Sequence, residues 1–210
     1  MRSKNIPKDF SPTLAIDRTK VLTSSFPLYL SQKIDGIRCI VFNGVGYSRS
    51  LKKIPNEFVQ EYIAAHAKEL EGVDGELLVG DIYSDEAFRA TTSGIMSAKG
   101  KPDFTFYVFD RYVPCKAYID RLNTLYSICA DRVIVLDQSI VTCDSDIDEL
   151  EHEMVSRGAE GVMLRDLKAT YKFGRATPTE PILQKVKRFT DAEYEIVGYK
   201  PLVNKYGKII

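Results

Sequence analysis

The stretch SQKIDGIRCI, residues 31–40, decides how the chain is read. An apolar run, Phe26 to Leu30, leads toward Lys33. Asp35-Gly36 follows, a dipeptide that turns the chain, and Arg38 stands at the fifth position after Lys33. The expectation is a strand over 26–33 that pairs across the Asp-Gly turn with a second strand over 37–42. Asn43-Gly44 marks a further hairpin turn. A lysine at a strand end is ordinarily solvated and idle, since a free lysine has a pKa of about 10.4 and attacks poorly at neutral pH. It becomes reactive when other cations or a metal ion disfavour its charged form.

Such cations stand further along. In Leu-Gln-Lys-Val-Lys-Arg (183–188), Lys185 and Lys187 lie two apart on an expected strand and project from one face. Like charges on one face repel unless an anion sits between them, and a phosphate is the natural guest. The competing reading is a solvated edge strand protected by lysines. Carboxylates form a second group. In Val-Asp-Gly-Glu-Leu-Leu-Val (73–79), Asp74 and Glu76 share one strand face while Val73, Leu77 and Val79 share the other. Glu160-Gly161 precedes the apolar strand that begins at Val162. A carboxylate beside a glycine at a strand mouth can reach a metal or a ribose hydroxyl, because glycine leaves room for the ligand.

The remaining pattern is α+β with mostly antiparallel strands, since few strand–helix–strand units recur. Residues 1–25 read as irregular. Helices are expected over 57–70, with Asn56 as N-cap after Pro55, and over 119–130, with Ile119, Leu122, Tyr126 and Cys129 on one stripe. A third opens at a Ser145/Asp148 capping box and ends near Gly158. Phe104 to Phe109 is an aromatic strand, Val162 to Arg165 and Ile182 to Phe189 are short strands, and a new alternating run begins at Glu193.

The 210 residues carry 29 basic and 29 acidic side chains, so any anion site must come from local clustering. Apolar runs are far too short for a membrane span, and no secretory signal opens the chain. Cys39, Cys115, Cys129 and Cys143 never approach zinc-ligand spacing and read as reduced, partly buried thiols. His66 and His152 read as ordinary surface residues. Two apparent phosphate loops fail. Gly44-Val45-Gly46 lacks a third glycine and a helix, and Gly94 to Gly100-Lys101 has a spacer one residue too long, with Pro102 where a magnesium-binding hydroxyl belongs.

What remains occurs in a telling order: Lys-x-Asp-Gly-x-Arg (33–38), Ser-Arg (48–49), Asp-Gly-Glu-Leu (74–77), Phe-Tyr-Val-Phe-Asp (106–110), Glu-Gly-Val-Met (160–163) and Lys-Val-Lys (185–187). This order resembles the six motifs of the covalent nucleotidyltransferase domain of ATP-dependent polynucleotide ligases, over about residues 20–200, and most closely short phage DNA ligases. Ala-Thr-Thr-Ser-Gly-Ile-Met-Ser (90–97) and Tyr-Lys-Phe-Gly-Arg (171–175) add to the likeness.

The resemblance implies an ATP-grasp-like nucleotidyltransferase domain of mainly antiparallel sheets with flanking helices over residues 1–189, and the beginning of a truncated OB domain over 190–210. It implies ATP as substrate, with AMP carried covalently on Lys33, and Mg2+ or Mn2+ as metal. Arg38 would contact the ribose or phosphate end and later the 5′-phosphate of the nick, which Arg49 would also reach. Glu76 would bind ribose hydroxyls and share in the metal site. Phe109 would stack on adenine beside Tyr107, Glu160 would hold the metal, and Lys185 and Lys187 would grip the α-phosphate. The implied partner is nicked duplex DNA, met by a monomer in the cytoplasm of a bacterial or phage-infected cell, without a membrane.

A basic, aromatic loop (Lys168, Tyr171, Lys172, Phe173, Arg175) is the candidate DNA contact, with Lys172 and Arg175 as its phosphate ligands. Capping nucleotidyltransferases differ at the fourth and fifth motifs, RNA ligases usually at the first, and NAD-dependent ligases need a further N-terminal domain. A nucleotide- or nucleic-acid-binding remnant of the same fold is the non-enzymatic alternative.

Overall fold

A computed structural model describes residues 6–23, 25–187, 195–202 and 208–209. Two five-stranded sheets form its framework. In the first, spatial order runs Ile16–Asp17, Leu183–Val186, Val162–Asp166, Leu28–Gln32, Ser139–Val141. In the second it runs Val45–Tyr47, Ile37–Phe42, Val73–Val79, Phe104–Arg111, Val133–Val135.

Asp35-Gly36 therefore closes no hairpin. Leu28–Gln32 pairs with Val162–Asp166 and Ser139–Val141, whereas Ile37–Phe42 pairs with Val45–Tyr47 and Val73–Val79. The dipeptide carries the chain from one sheet to the other. Gly36 fits there because a Cβ would lie 2.3 Å from the Leu77 carbonyl oxygen. The next turn is a hairpin as expected: Asn43 and Gly44 both adopt positive φ, 51° and 68°, between the strands ending at Phe42 and starting at Val45.

Alternation along each strand assigns one face to a core and the other to the space between the sheets. Cys39, Val41, Val73, Leu77, Phe106 and Val108 pack under helices Glu57–Ala65 and Tyr118–Asn123, while Leu28, Leu30, Val162 and Leu164 pack with Ile147 of helix Asp144–Ser156. The opposite faces carry the polar residues: Arg38, Asp74 and Glu76 on one sheet, Lys185 and Arg165 on the other.

Several local expectations change. The helix expected over 57–70 divides at His66 into Glu57–Ala65 and Ala67–Leu70, although Asn56 caps it as read, accepting from the Val59 amide at 3.0 Å. Residues 119–130 form a short helix, Tyr118–Asn123, and a 3-10 turn, Leu125–Ser127. Their buried positions are Tyr118, Arg121, Leu122 and Leu125, while Ile119, Tyr126 and Cys129 face out. The third helix starts at Asp144, and Asp146 rather than Ser145 secures its entry by accepting from the amide and hydroxyl of Thr142.

Residues 1–25 are not irregular throughout, because Thr13–Leu14 and Ile16–Asp17 each pair with a late strand. Helix Ala87–Ile95 and the strands Val133–Val135 and Ser139–Val141 were not anticipated. Of the cysteines only Cys39 is buried. The run expected from Glu193 begins outside the described residues, and residues 195–202 carry no strand.

Candidate active site

The two sheets meet where Lys33 leaves its strand. The Lys33 amide donates to the Gly161 carbonyl at 2.9 Å, continuing the ladder one residue past Gln32. Gly161 lies so close to the neighbouring strand that a Cβ would stand 2.2 Å from the Val186 carbonyl oxygen, and its φ is +151°. Only glycine fits. This packing brings three motifs to one point. Lys33 Nζ donates to Glu160 Oε2, and Lys187 Nζ donates to Glu160 Oε1 at 2.5 Å. Burial raises the Glu160 pKa, but the hydrogen bonds from Lys187 and Lys33 outweigh it and hold the carboxyl below its ordinary range. The same hydrogen bond raises Lys187. Beside them, burial and the Glu160 charge raise Asp35 against the pull of Lys33 and Lys187. Lys185 turns toward Asp17, 4.0 Å away.

The facing sheet supplies a second group. Arg38 grips Asp74 with two hydrogen bonds, 2.7 Å from Nε and 2.6 Å from Nη2, and its guanidinium carbon lies 5.2 Å from the centroid of the Phe109 ring. Arg38 sits opposite Glu76 in the strand register, and Glu76 sits opposite Tyr107. Desolvation pushes Glu76 up to about 8, against the opposing pull of Arg38 and Lys33. A carboxyl that keeps its proton at neutral pH suits hydrogen bonding to hydroxyls better than metal ligation. Phe109 and Tyr107 pack, partly buried, against an apolar cluster of Ile34, Leu78, Ala87 and Leu136, whose first member follows Lys33 directly in the chain.

The remaining expected residues lie apart. Arg49 is exposed in the loop after Val45–Tyr47. Lys172 is paired with Glu180, and Arg175 Nη1 donates to the Ala15 carbonyl at 2.6 Å. Tyr171 is buried in an aromatic cluster with Phe10 and Phe42, where Phe173 joins at the rim, so two of the loop's aromatic rings serve packing.

Sequence reasoning passed over Asp110, Arg121 and Arg165. Asp110, 1% exposed, accepts from Arg121 Nε at 2.8 Å and from Arg165 Nη1 at 2.9 Å. The available signal was an arginine closing the apolar run Val-Met-Leu and an aspartate closing the aromatic strand.

A model of the ATP dependent DNA ligase domain matches residues 12–187. The chain belongs to the ATP-dependent DNA ligase family. Among solved structures it resembles Chlorella virus DNA ligase-adenylate at 30% identity and TM-score 0.74, over 94% of this chain and 74% of that one. It also resembles a Lig E DNA ligase, described as binding DNA with a minimal scaffold, at 25% identity and TM-score 0.72, over 93% of this chain and 75% of that one. The bacteriophage T7 ATP-dependent DNA ligase in complex with ATP shares the fold at 15% identity and TM-score 0.60, over 98% of this chain and 81% of that one. No curated protein sequence matches. This ligase chain thus has the adenylation-domain fold and is an enzyme of the ligase class that uses ATP. No helix among its described residues is long and apolar enough to cross a membrane.

Proposed function

We propose that this ligase domain becomes adenylylated on Lys33, passes AMP to the 5′-phosphate of a nick in duplex DNA, and seals the nick with the 3′-hydroxyl. One observation carries the reading: Lys33 Nζ and Lys187 Nζ share the two oxygens of Glu160, and the next residue after Lys33, Ile34, belongs to the cluster on which Phe109 packs. An ammonium bound to a carboxylate is no nucleophile, so Nζ must first give up the proton it shares with Oε2. The amine then attacks the α-phosphorus of ATP, the bond to the bridging oxygen breaks, and pyrophosphate leaves. Lys187, beside Glu160, would meet charge on the α-phosphate oxygens, joined by Lys185 once it leaves Asp17, since positioned cations stabilise such a transition state most effectively. Glu76 with its proton can donate to a ribose hydroxyl, and Phe109 and Tyr107 offer a surface for adenine.

A magnesium or manganese ion bound with ATP would neutralise phosphate charge. Glu160 would hold it, and Glu76 only after losing its proton. The described residues contain no group of three or more acidic, histidine or cysteine ligands. One or two carboxylates plus substrate phosphates is the donor set such ions use, so the residues fit.

The boundary near residue 189 belongs to the same reading. Ile196, Val197 and Tyr199 are 90%, 94% and 95% exposed, apolar residues of the kind a packed OB domain would cover. The test is labelling with ATP carrying a radioactive α-phosphate. The parent should retain an acid-labile label, and Lys33→Ala should lose it without unfolding. Undiminished labelling of Lys33→Ala would reject Lys33 as nucleophile.

A further inference from the structure

Phe109 is held by more than its own strand. Two guanidinium groups rest against its ring, with Arg38 at 5.2 Å and Arg165 at 5.1 Å from the centroid. Its backbone carbonyl accepts from the buried Tyr118 hydroxyl at 2.9 Å, and Arg165 also lies 5.0 Å from the Tyr118 ring. Arg165 is 6% exposed, and its Nε has no hydrogen-bond partner within the described residues. Beyond its ion pair with Asp110, this guanidinium gains from the aromatic faces it touches.

Both arginines are tied to one segment, residues 166–175. Arg38 is fixed by Asp74, whose Oδ2 also accepts from the Tyr171 hydroxyl at 2.6 Å. Arg165 is fixed by Asp110, whose other side-chain partner, Arg121, donates from Nη1 to the Ala169 carbonyl at 2.9 Å. The segment reaches the ring by two separate routes, and it carries Lys172 and Arg175. The buried Arg121, Arg165, Asp74 and Asp110, with the half-buried Arg38, hold three positive and two negative charges. Neither aspartate can release an arginine without leaving a buried charge unpaired.

We propose that Arg165 and Tyr171 are positioning residues of the nucleotide pocket. Through them the segment 166–175 sets the Phe109 ring that receives the base. The proposal rests on the assignment of Phe109 to adenine. It makes the aromatic wall answer to the segment that would lie on DNA.

The test uses non-covalent AMP binding by calorimetry, with Lys33→Ala in every protein so that no adduct forms. Arg165→Met and Tyr171→Phe should each weaken AMP binding about fivefold or more, the scale of one desolvated cation–π contact. Arg165→Lys, which keeps the charge, should recover part of the loss. Ribose 5-phosphate has the same sugar and phosphate without the base, and it should bind Arg165→Met and its parent alike. If Arg165→Met does not fold, Tyr171→Phe and Arg165→Lys decide, since one removes a single oxygen and the other preserves the ion pair. Unchanged AMP affinity in both, with only the melting temperature lowered, would overturn the positioning role. Equal losses for AMP and ribose 5-phosphate in the Arg165 variants would overturn it too. If the parent binds no AMP at all, the nucleotide pocket falls and this inference with it. If Lys33→Ala still takes up label from ATP, only the nucleophile assignment falls.

Discussion

Two clusters of the same chemistry flank one strand of this ligase chain, Val162–Asp166, with Glu160 just before it and Arg165 near its end. In one, Glu160 is shared by Lys33 and Lys187, and the three side chains are 19%, 24% and 31% exposed. In the other, Asp110 is shared by Arg121 and Arg165, and the exposures are 1%, 3% and 8%. Each joins one carboxylate to two cations. The first lies at the mouth between the sheets, where water or a ligand can replace any member, and it uses flexible lysines. The second is sealed and uses planar guanidinium groups that hold fixed geometry. An accessible ion cluster can be taken apart by a substrate at modest cost. A sealed one cannot, so it serves to hold its neighbours in place.

The contrast breaks if both clusters respond alike to loss of their carboxylate. Glu160→Gln should reduce labelling from ATP by about a hundredfold or more, the scale of losing one well-placed electrostatic group. The same change should cost only about 1 kcal/mol in urea unfolding, as partly exposed pairs usually do. Asp110→Asn should do the reverse. It leaves two buried guanidinium groups without a counter-charge, and unfolding should show a loss of about 3–5 kcal/mol. A small stability loss in Asp110→Asn would place that cluster with the accessible kind.

Glu76 sharpens the comparison through pH. Its folded carboxyl titrates at about 8 against an ordinary 4.5, because desolvation outweighs Arg38 and Lys33. The folded state therefore keeps a proton that the unfolded state has lost. That contribution to stability is whole below about pH 4.5 and falls away as pH rises toward 8. Glu76→Gln should gain on the parent by about 1.4 kcal/mol for each unit by which pH rises from 4.5 toward 8, and the two should converge near pH 4.5. Parallel curves across that range would show that Glu76 is well solvated.

The smallest effect belongs to the segment 166–175. Lys172 already pairs with Glu180, and Arg175 already donates to Ala15. Lys172→Ala with Arg175→Ala should reduce the salt slope of nicked-DNA binding by about one to two. Arg175 is exposed and Lys172 half-buried, so stability should change by no more than about 1 kcal/mol each. An unchanged slope would remove the pair from the DNA contacts.

The sequence by itself determined what depends on near neighbours. Alternation in 73–79 and 104–109 set which residues share a face, Asn43-Gly44 set a hairpin, and Asn56 set a helix start. The order of short motifs around Lys33, Glu160 and Lys187 carried the family, because each motif is a local pattern that survives without knowledge of its partners. Only the tertiary structure decided what those patterns meet. The strands on either side of Asp35-Gly36 entered different sheets, where each pairs on both of its edges with strands distant in sequence or across another turn. Tyr171 and Phe173 read as a basic loop's aromatics and instead closed over Phe10 from the N-terminal segment. No local pattern joins Asp110, Arg121 and Arg165. A buried charge is tolerated only beside its counter-charge, and positions 110, 121 and 165 become neighbours only when the chain has folded.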